Sequence, residues 1–89
     1  MTSAEKLYQR MRRTKAGWRP SDLDRLYRGF GFEVVEGAKH TLYIHPEFPS
    51  LRATVTRSRS LPIGYIEHAV ELIAALKEMK EGAGDARGR

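Results

Sequence analysis

The 89-residue chain contains no cysteine. Disulfides, thiolate zinc sites and cysteine nucleophiles are excluded together, so any metal site would need histidine and carboxylate ligands. Histidine is sparse, with three in the chain. His40 and His45 fall on opposite faces of one predicted strand, roughly 16 Å apart along it. His68 belongs to a later helix, beside Glu67 and away from its apolar stripe. No metal site is expected. There is no glycine-rich phosphate loop and no elbow serine, and no cofactor is expected. No apolar run approaches the roughly 20 residues that span a bilayer. The first residues lack the apolar core of a signal peptide. A soluble, cytoplasmic protein is the expectation.

What the chain has is positive charge, a net +5 with 30% charged and 40% hydrophobic residues. The balance is that of an ordinary globular domain, and the length bounds it to one small core of two layers. The surplus is N-terminal: residues 1–31 carry eight Lys and Arg against three acids. Arg10, Arg12, Arg13, Lys15 and Arg19 lie close together. Such a cluster marks contact with nucleic acid or an acidic protein, or is a solvated helix face.

Thr2 and Glu5 have capping-box spacing and start a first helix, which is expected to end near Ala16-Gly17. Trp18 anchors this extension to the domain, with base stacking as the alternative. Ser21 is the expected N-cap of a second helix, and Asp22 and Asp24 suit the positive end of its dipole. Leu23, Leu26, Tyr27 and Phe30 form one helical stripe, and Gly29 and Gly31 stop it. Residues 32–36 read as a strand, Gly37-Ala38-Lys39 as a turn, and residues 40–45 as a second strand. Two prolines make Pro46-Glu47-Phe48-Pro49-Ser50 a loop. Arg52-Ala53-Thr54-Val55-Thr56 is a third strand and Arg57-Ser58-Arg59-Ser60 a basic loop. Pro62 opens a last helix with Ile63, Ile66, Val70 and Ile73 in its stripe, expected to end near Lys80. The predicted organisation is a helical extension over 1–20, a domain over 21–80 and a disordered tail over 81–89. Short connections favour an antiparallel meander. The fold class is α+β: a two-layer α-β-β-β-α sandwich, like a double-stranded-RNA-binding domain in outline, with an added N-terminal helix.

Strand side chains alternate. Leu42 and Ile44 are the apolar pair of the second strand and are expected to face the helices, with His40 at the rim of that layer. Thr41, Tyr43 and His45 take the other face. A rim imidazole suits general acid or base work, since its unperturbed pKa is about 6.5; the alternative is a structural histidine bonded to a backbone carbonyl.

Gly31-Phe32 at the helix exit, the Gly37-Ala38-Lys39-His40 turn, Thr54-Val55-Thr56-Arg57 and the closing helix from Leu61-Pro62 to Leu76 together resemble the HicA-type toxins of bacterial toxin–antitoxin pairs. The resemblance spans about residues 21–80. It implies a ribonuclease that cleaves mRNA without a metal ion, blocked by a HicB-type antitoxin, with His40 as the catalytic histidine. Two positions depart from the family pattern. Ala38 stands where a small polar residue is usual, and Thr56-Arg57-Ser58 stands where many members have Pro-Arg-His, so a second histidine is missing. The N-terminal extension is also longer than in the shortest members. It is left open whether that extension packs on the domain, self-associates or meets a partner.

RNA supplies its own nucleophile in the 2′-hydroxyl. On this reading His40 moves protons, a contribution of roughly 10²–10⁴-fold. Lys39, Arg57 and Arg59 hold the phosphate and offset its developing charge, and Arg52 extends the track. Tyr43 stacks a base from the open sheet face or packs across strands. A non-catalytic RNA-binding module of the same fold, and a protein-interaction domain with a basic helix, are the competing readings.

Overall fold

The computed structural model describes residues 2–57 and 61–87, with side chains as far as Glu81. Among these residues the chain forms three helices and three strands: α1 Ser3–Arg13, α2 Pro20–Gly29, β1 Glu33–Glu36, β2 His40–Ile44, β3 Arg52–Thr56 and α3 Ile63–Arg87. The class is α+β, with an antiparallel sheet in the order β1-β2-β3. No helix among the described residues is long and apolar enough to cross a membrane.

Helix α1 begins at its expected cap, where the Thr2 hydroxyl accepts from the Glu5 N–H at 3.1 Å. It ends at Arg13, earlier than Ala16-Gly17, because side chains from the next few residues take the carbonyls at its exit. Lys15 Nζ donates to the Arg12 carbonyl at 2.6 Å and Trp18 Nε1 to the Thr14 carbonyl at 2.7 Å. Trp18 is thereby fixed against the core as an anchor, with Arg10 over its ring at 5.1 Å.

Helix α2 starts at Pro20, so Ser21 lies inside the first turn and is not the cap. Proline suits that first position. The Asp22 carboxylate accepts from the Arg19 N–H at 2.9 Å, so the N-terminal donors are met from within the turn. At the other end Gly31 has φ +90°. Its N–H donates to the Arg28 carbonyl at 3.0 Å and the Phe32 N–H to the Tyr27 carbonyl at 3.0 Å. This paired arrangement requires a left-handed residue at Gly31. Gly29 has a different task from helix termination: a Cβ there would collide with the Ala4 Cβ. It lets α1 and α2 approach closely.

Helix α1 of the predicted extension packs into the common core. Ala4, Leu7, Tyr8 and Met11 of α1 are buried, the last three in the same core as Leu23, Leu26 and Tyr27 of α2 and Ile66, Ala69, Ile73 and Leu76 of α3. Lys77 of α3 closes this packing: its Nζ lies 2.6 Å from Glu5 Oε1 and over the rings of Tyr8 and Phe30. Helix α3 continues to Arg87, beyond the end expected near Lys80 and into the predicted tail. No proline interrupts residues 81–87, so the helix continues there although Gly82, Gly84 and Asp85 are weaker helix formers than the Glu, Ala and Arg beside them.

The sheet turns the opposite face to the helices from the one expected of Leu42 and Ile44. Tyr43 and His45 are buried at 3% and 2% exposure, with Ala53 and Val55 of β3 beside them. Leu42 and Ile44 are only partly buried on the open face, and Val35 is exposed. Specific partners account for the choice. The Tyr43 ring stacks on Tyr27 at 4.7 Å, and its hydroxyl donates to the Asp24 carboxylate at 2.8 Å. The His45 ring sits between Phe32 and Phe48, with centroids at 5.2 and 5.4 Å, and Nδ1 accepts from the Glu47 N–H at 3.1 Å. A tyrosine ring buries a large apolar area once its hydroxyl is satisfied, and the bond from the Glu47 N–H removes part of the cost of burying the His45 imidazole.

Candidate active site

The β1–β2 connection is tight. The Gly37 N–H donates to the His40 carbonyl at 2.9 Å, leaving Ala38 and Lys39 at the tip. A Cβ on Gly37 would lie 2.8 Å from that carbonyl oxygen, a distance real Cβ atoms do not tolerate. Glycine is thus required by close backbone approach, and Gly37 does not have positive φ.

His40 is the first residue of β2 and pairs with Thr56 of β3. It is exposed on the open sheet face with Leu42 and Ile44, and is not at a rim between sheet and helices. No hydrogen bond to its ring is formed among the described residues, so the structural-histidine alternative has no carbonyl partner here. Lys39 is exposed beside it. Arg57, one residue past Thr56, is tied to the turn in two ways. Its N–H donates to the Lys39 carbonyl at 3.1 Å and its Nη1 to the Gly37 carbonyl at 2.6 Å. The ion pair of Nη2 with Glu36, at 3.8 Å and solvent-exposed, adds little. Gly37, Lys39, His40 and Arg57 therefore come together at one end of the sheet.

The other candidates do not join them. Arg52 pairs with Ile44 at the far end of β3, four residues or roughly 13 Å from the His40 row. Its Nε donates to the Pro49 carbonyl at 3.2 Å. Tyr43 is buried beneath α2 and cannot stack a base, because its ring and hydroxyl are both occupied by α2 residues. Burial, together with the hydrogen bond to Asp24, pushes its hydroxyl pKa up. Arg59 and Ser58 lie outside the described residues.

A hollow of about 290 Å³ lies against Arg57, but it is lined by Ser21, Asp24, Thr41 and Tyr43 on the helix side of the sheet. The histidine that is enclosed is His45. Burial and the nearby Lys80 charge hold its pKa below the ordinary value, with Glu47 and the Phe30 backbone acting in the opposite sense. With Nδ1 accepting from Glu47, the neutral ring carries its proton on Nε2. His68 is exposed on α3, with Nε2 3.3 Å from the Arg52 carbonyl oxygen. No group of three or more His, Asp and Glu among the described residues is arranged to hold a metal ion.

Sequence reasoning missed Glu36 and Thr56 as the immediate neighbours of the turn. Strand register would have found both, since a β1–β2–β3 meander with a tight first turn sets Glu36 against Thr41 and His40 against Thr56. The chain matches no protein-family model, no curated protein and no solved structure.

Proposed function

We propose that this protein is a metal-independent endoribonuclease of the HicA type, the toxin of a toxin–antitoxin pair. Its domain on this reading is the double-stranded-RNA-binding-like α-β-β-β-α sandwich, with α1 as an additional N-terminal helix packed into the core. The observation that carries the proposal is the turn itself. An exposed imidazole opens β2, and a guanidinium is pinned to the same turn by a 2.6 Å hydrogen bond. Cleavage of RNA by its own 2′-hydroxyl needs these two functions: a group that exchanges protons near neutral pH and a cation for the developing phosphorane charge. His40 removes the 2′-hydroxyl proton as that oxygen attacks phosphorus, and the 5′-oxygen leaves with a proton from solvent or from the imidazolium. Lys39 and Arg57 hold the phosphate. The chain acts on mRNA in the cytoplasm, and a HicB-type antitoxin silences it by covering His40 with acidic groups.

One observation favours a second reading, a non-catalytic RNA-binding module. Nothing among the described residues orients the His40 ring, whereas a general base works best when held in place.

The test is cleavage of a single-stranded RNA in the presence of EDTA by the protein and by His40→Ala. Products ending in 2′,3′-cyclic phosphate, lost in a variant with unchanged circular dichroism and melting temperature, support the ribonuclease. RNA binding without cleavage in both proteins supports the module.

A further inference from the structure

The two outer edges of the sheet are unlike one another. Edge β1 carries the exposed carboxylates Glu33 and Glu36, the kind of charge that discourages pairing with another strand. Edge β3 carries no carboxylate, and its one charged residue, Arg52, stands at its first position. The bonds Arg57 N–H to Lys39 carbonyl and His45 N–H to Leu51 carbonyl bracket the β2–β3 ladder. They set the odd-numbered residues of β3 toward β2. The N–H and C=O of Arg52, Thr54 and Thr56 consequently point outward. His68 Nε2 lies against the Arg52 carbonyl. The N–H and C=O of Thr54, at the centre of the edge, have no partner among the described residues.

Beside this edge lies a groove of about 430 Å³, between β3 and the first turns of α3. Besides Arg52 and Thr54 of the edge itself, its walls are Ala53, Pro62, Gly64, Tyr65 and His68. A Cβ on Gly64 would meet nothing within 4 Å. A strand edge with a free donor and acceptor, flanked by a helix across an apolar groove, is the arrangement that accepts an added strand.

Charge sets the kind of strand. Arg52 stands on the open face of the sheet and has no carboxylate partner among the described residues; its guanidinium reaches only the Pro49 carbonyl. A residue directly across from Arg52 on an added strand shares that face, where an opposite charge is favoured. Residues one step away point into the groove, where the apolar lining selects small or medium apolar side chains.

We propose that the outer edge of β3 docks an extended segment of a partner protein, with acidic and apolar residues in alternation, as a fourth strand beside α3. This inference does not depend on the role of His40.

A short synthetic peptide alternating glutamate and valine is the probe, added to the full chain. Binding is followed by fluorescence anisotropy, and exchange of the Thr54 amide by NMR. The expected result is saturable binding with protection of that amide. Thr54→Pro removes the donor at an edge position where proline is tolerated. It should weaken binding roughly tenfold or more, the order of one unmade hydrogen bond. Gly64→Leu, placed where there is room, should fill the groove and weaken binding without lowering the melting temperature. It serves if the proline variant does not fold. Arg52→Glu should reverse the preference to a lysine–valine peptide. Binding insensitive to all three substitutions, or no protection of the Thr54 amide at saturation, overturns the proposal. So does a concentration-dependent dimer, formed without peptide and lost in Thr54→Pro, because the edge then belongs to a second copy.

Discussion

The Arg57 guanidinium reaches back twenty residues to the Gly37 carbonyl oxygen, at 2.6 Å. The bond joins the exit of β3 to the turn that opens β2. Its acceptor is the residue whose missing Cβ lets the His40 carbonyl approach. The turn that presents His40 and the Arg57 guanidinium are therefore mechanically linked, and Gly37 and Arg57 can be tested separately.

Gly37→Ala places a methyl group 2.8 Å from a backbone oxygen, so the turn must open. We expect a loss of about 1–3 kcal/mol in stability and displaced amide resonances for His40 and Arg57. RNA cleavage, if the proposed activity holds, should fall with them. An alanine variant with native stability and unmoved resonances would show that the turn does not depend on glycine.

Arg57→Lys keeps the charge but loses the planar fork that reaches Gly37. We expect little change in melting temperature, because the bond is solvent-exposed. On the proposed function cleavage should drop roughly tenfold, with RNA affinity changing less. An equal fall in both would make Arg57 a binding residue alone.

Tyr27 and Tyr43 stack on each other but differ in their hydroxyls. The Tyr43 hydroxyl donates to Asp24, whereas the fully buried Tyr27 hydroxyl has no partner among the described residues. Tyr27→Phe should be neutral or stabilising, by up to about 1 kcal/mol, since it removes an unsatisfied buried group. Tyr43→Phe should cost roughly 1.5–3 kcal/mol, because the lost bond is to a carboxylate. Chemical denaturation of the two variants measures both. The reverse order would refute the assignment.

His45 gives the fold a pH dependence. Its folded pKa lies below the ordinary 6.5, first through burial and then through Lys80. The unfolded chain thus takes up the proton more readily than the folded one. Stability is fully present above about pH 6.5 and is lost as pH falls from there toward the lowered folded value. Melting temperatures between neutral and mildly acid pH should decline in the native protein. The decline should shrink in His45→Gln, whatever that variant's stability at neutral pH.

Gly29→Ala tests the seating of α1. A methyl group at Gly29 collides with the Ala4 Cβ, so the helices must separate. Alanine is the better helix former by about 1 kcal/mol, yet we expect a net loss of roughly 1–3 kcal/mol. Gly29→Ala combined with Ala4→Gly should recover part of it. A stabilised single variant would mean that α1 is not packed against Gly29.

The elements themselves were legible in local chemistry. The Leu23, Leu26, Tyr27, Phe30 spacing marks α2, the β-branched run marks β3, and Gly37-Ala38-Lys39 marks the turn that presents His40. Helix α2 starts ahead of the expected cap Ser21 because Pro20 fixes the first helical turn from inside. The buried face of the sheet is not decided by alternation. Residues 40, 42 and 44 and residues 41, 43 and 45 each hold both apolar and polar members, so alternation along β2 offers two faces of nearly equal claim.

Sequence alone determined the order of helix, helix, three strands and helix, and the Gly37-Ala38-Lys39 turn that leads into His40. These follow from contacts close along the chain. Tertiary structure alone decided that Tyr43 and His45 are buried, that His40 and Arg52 share the open face but stand apart, and that α1 belongs to the core. Each of those outcomes rests on a partner distant in sequence: Asp24 and Tyr27 for Tyr43, Phe32 for His45, Lys77 for Glu5. A strand's period of two states which side chains lie together. Only the elements packed against it determine which set loses its water.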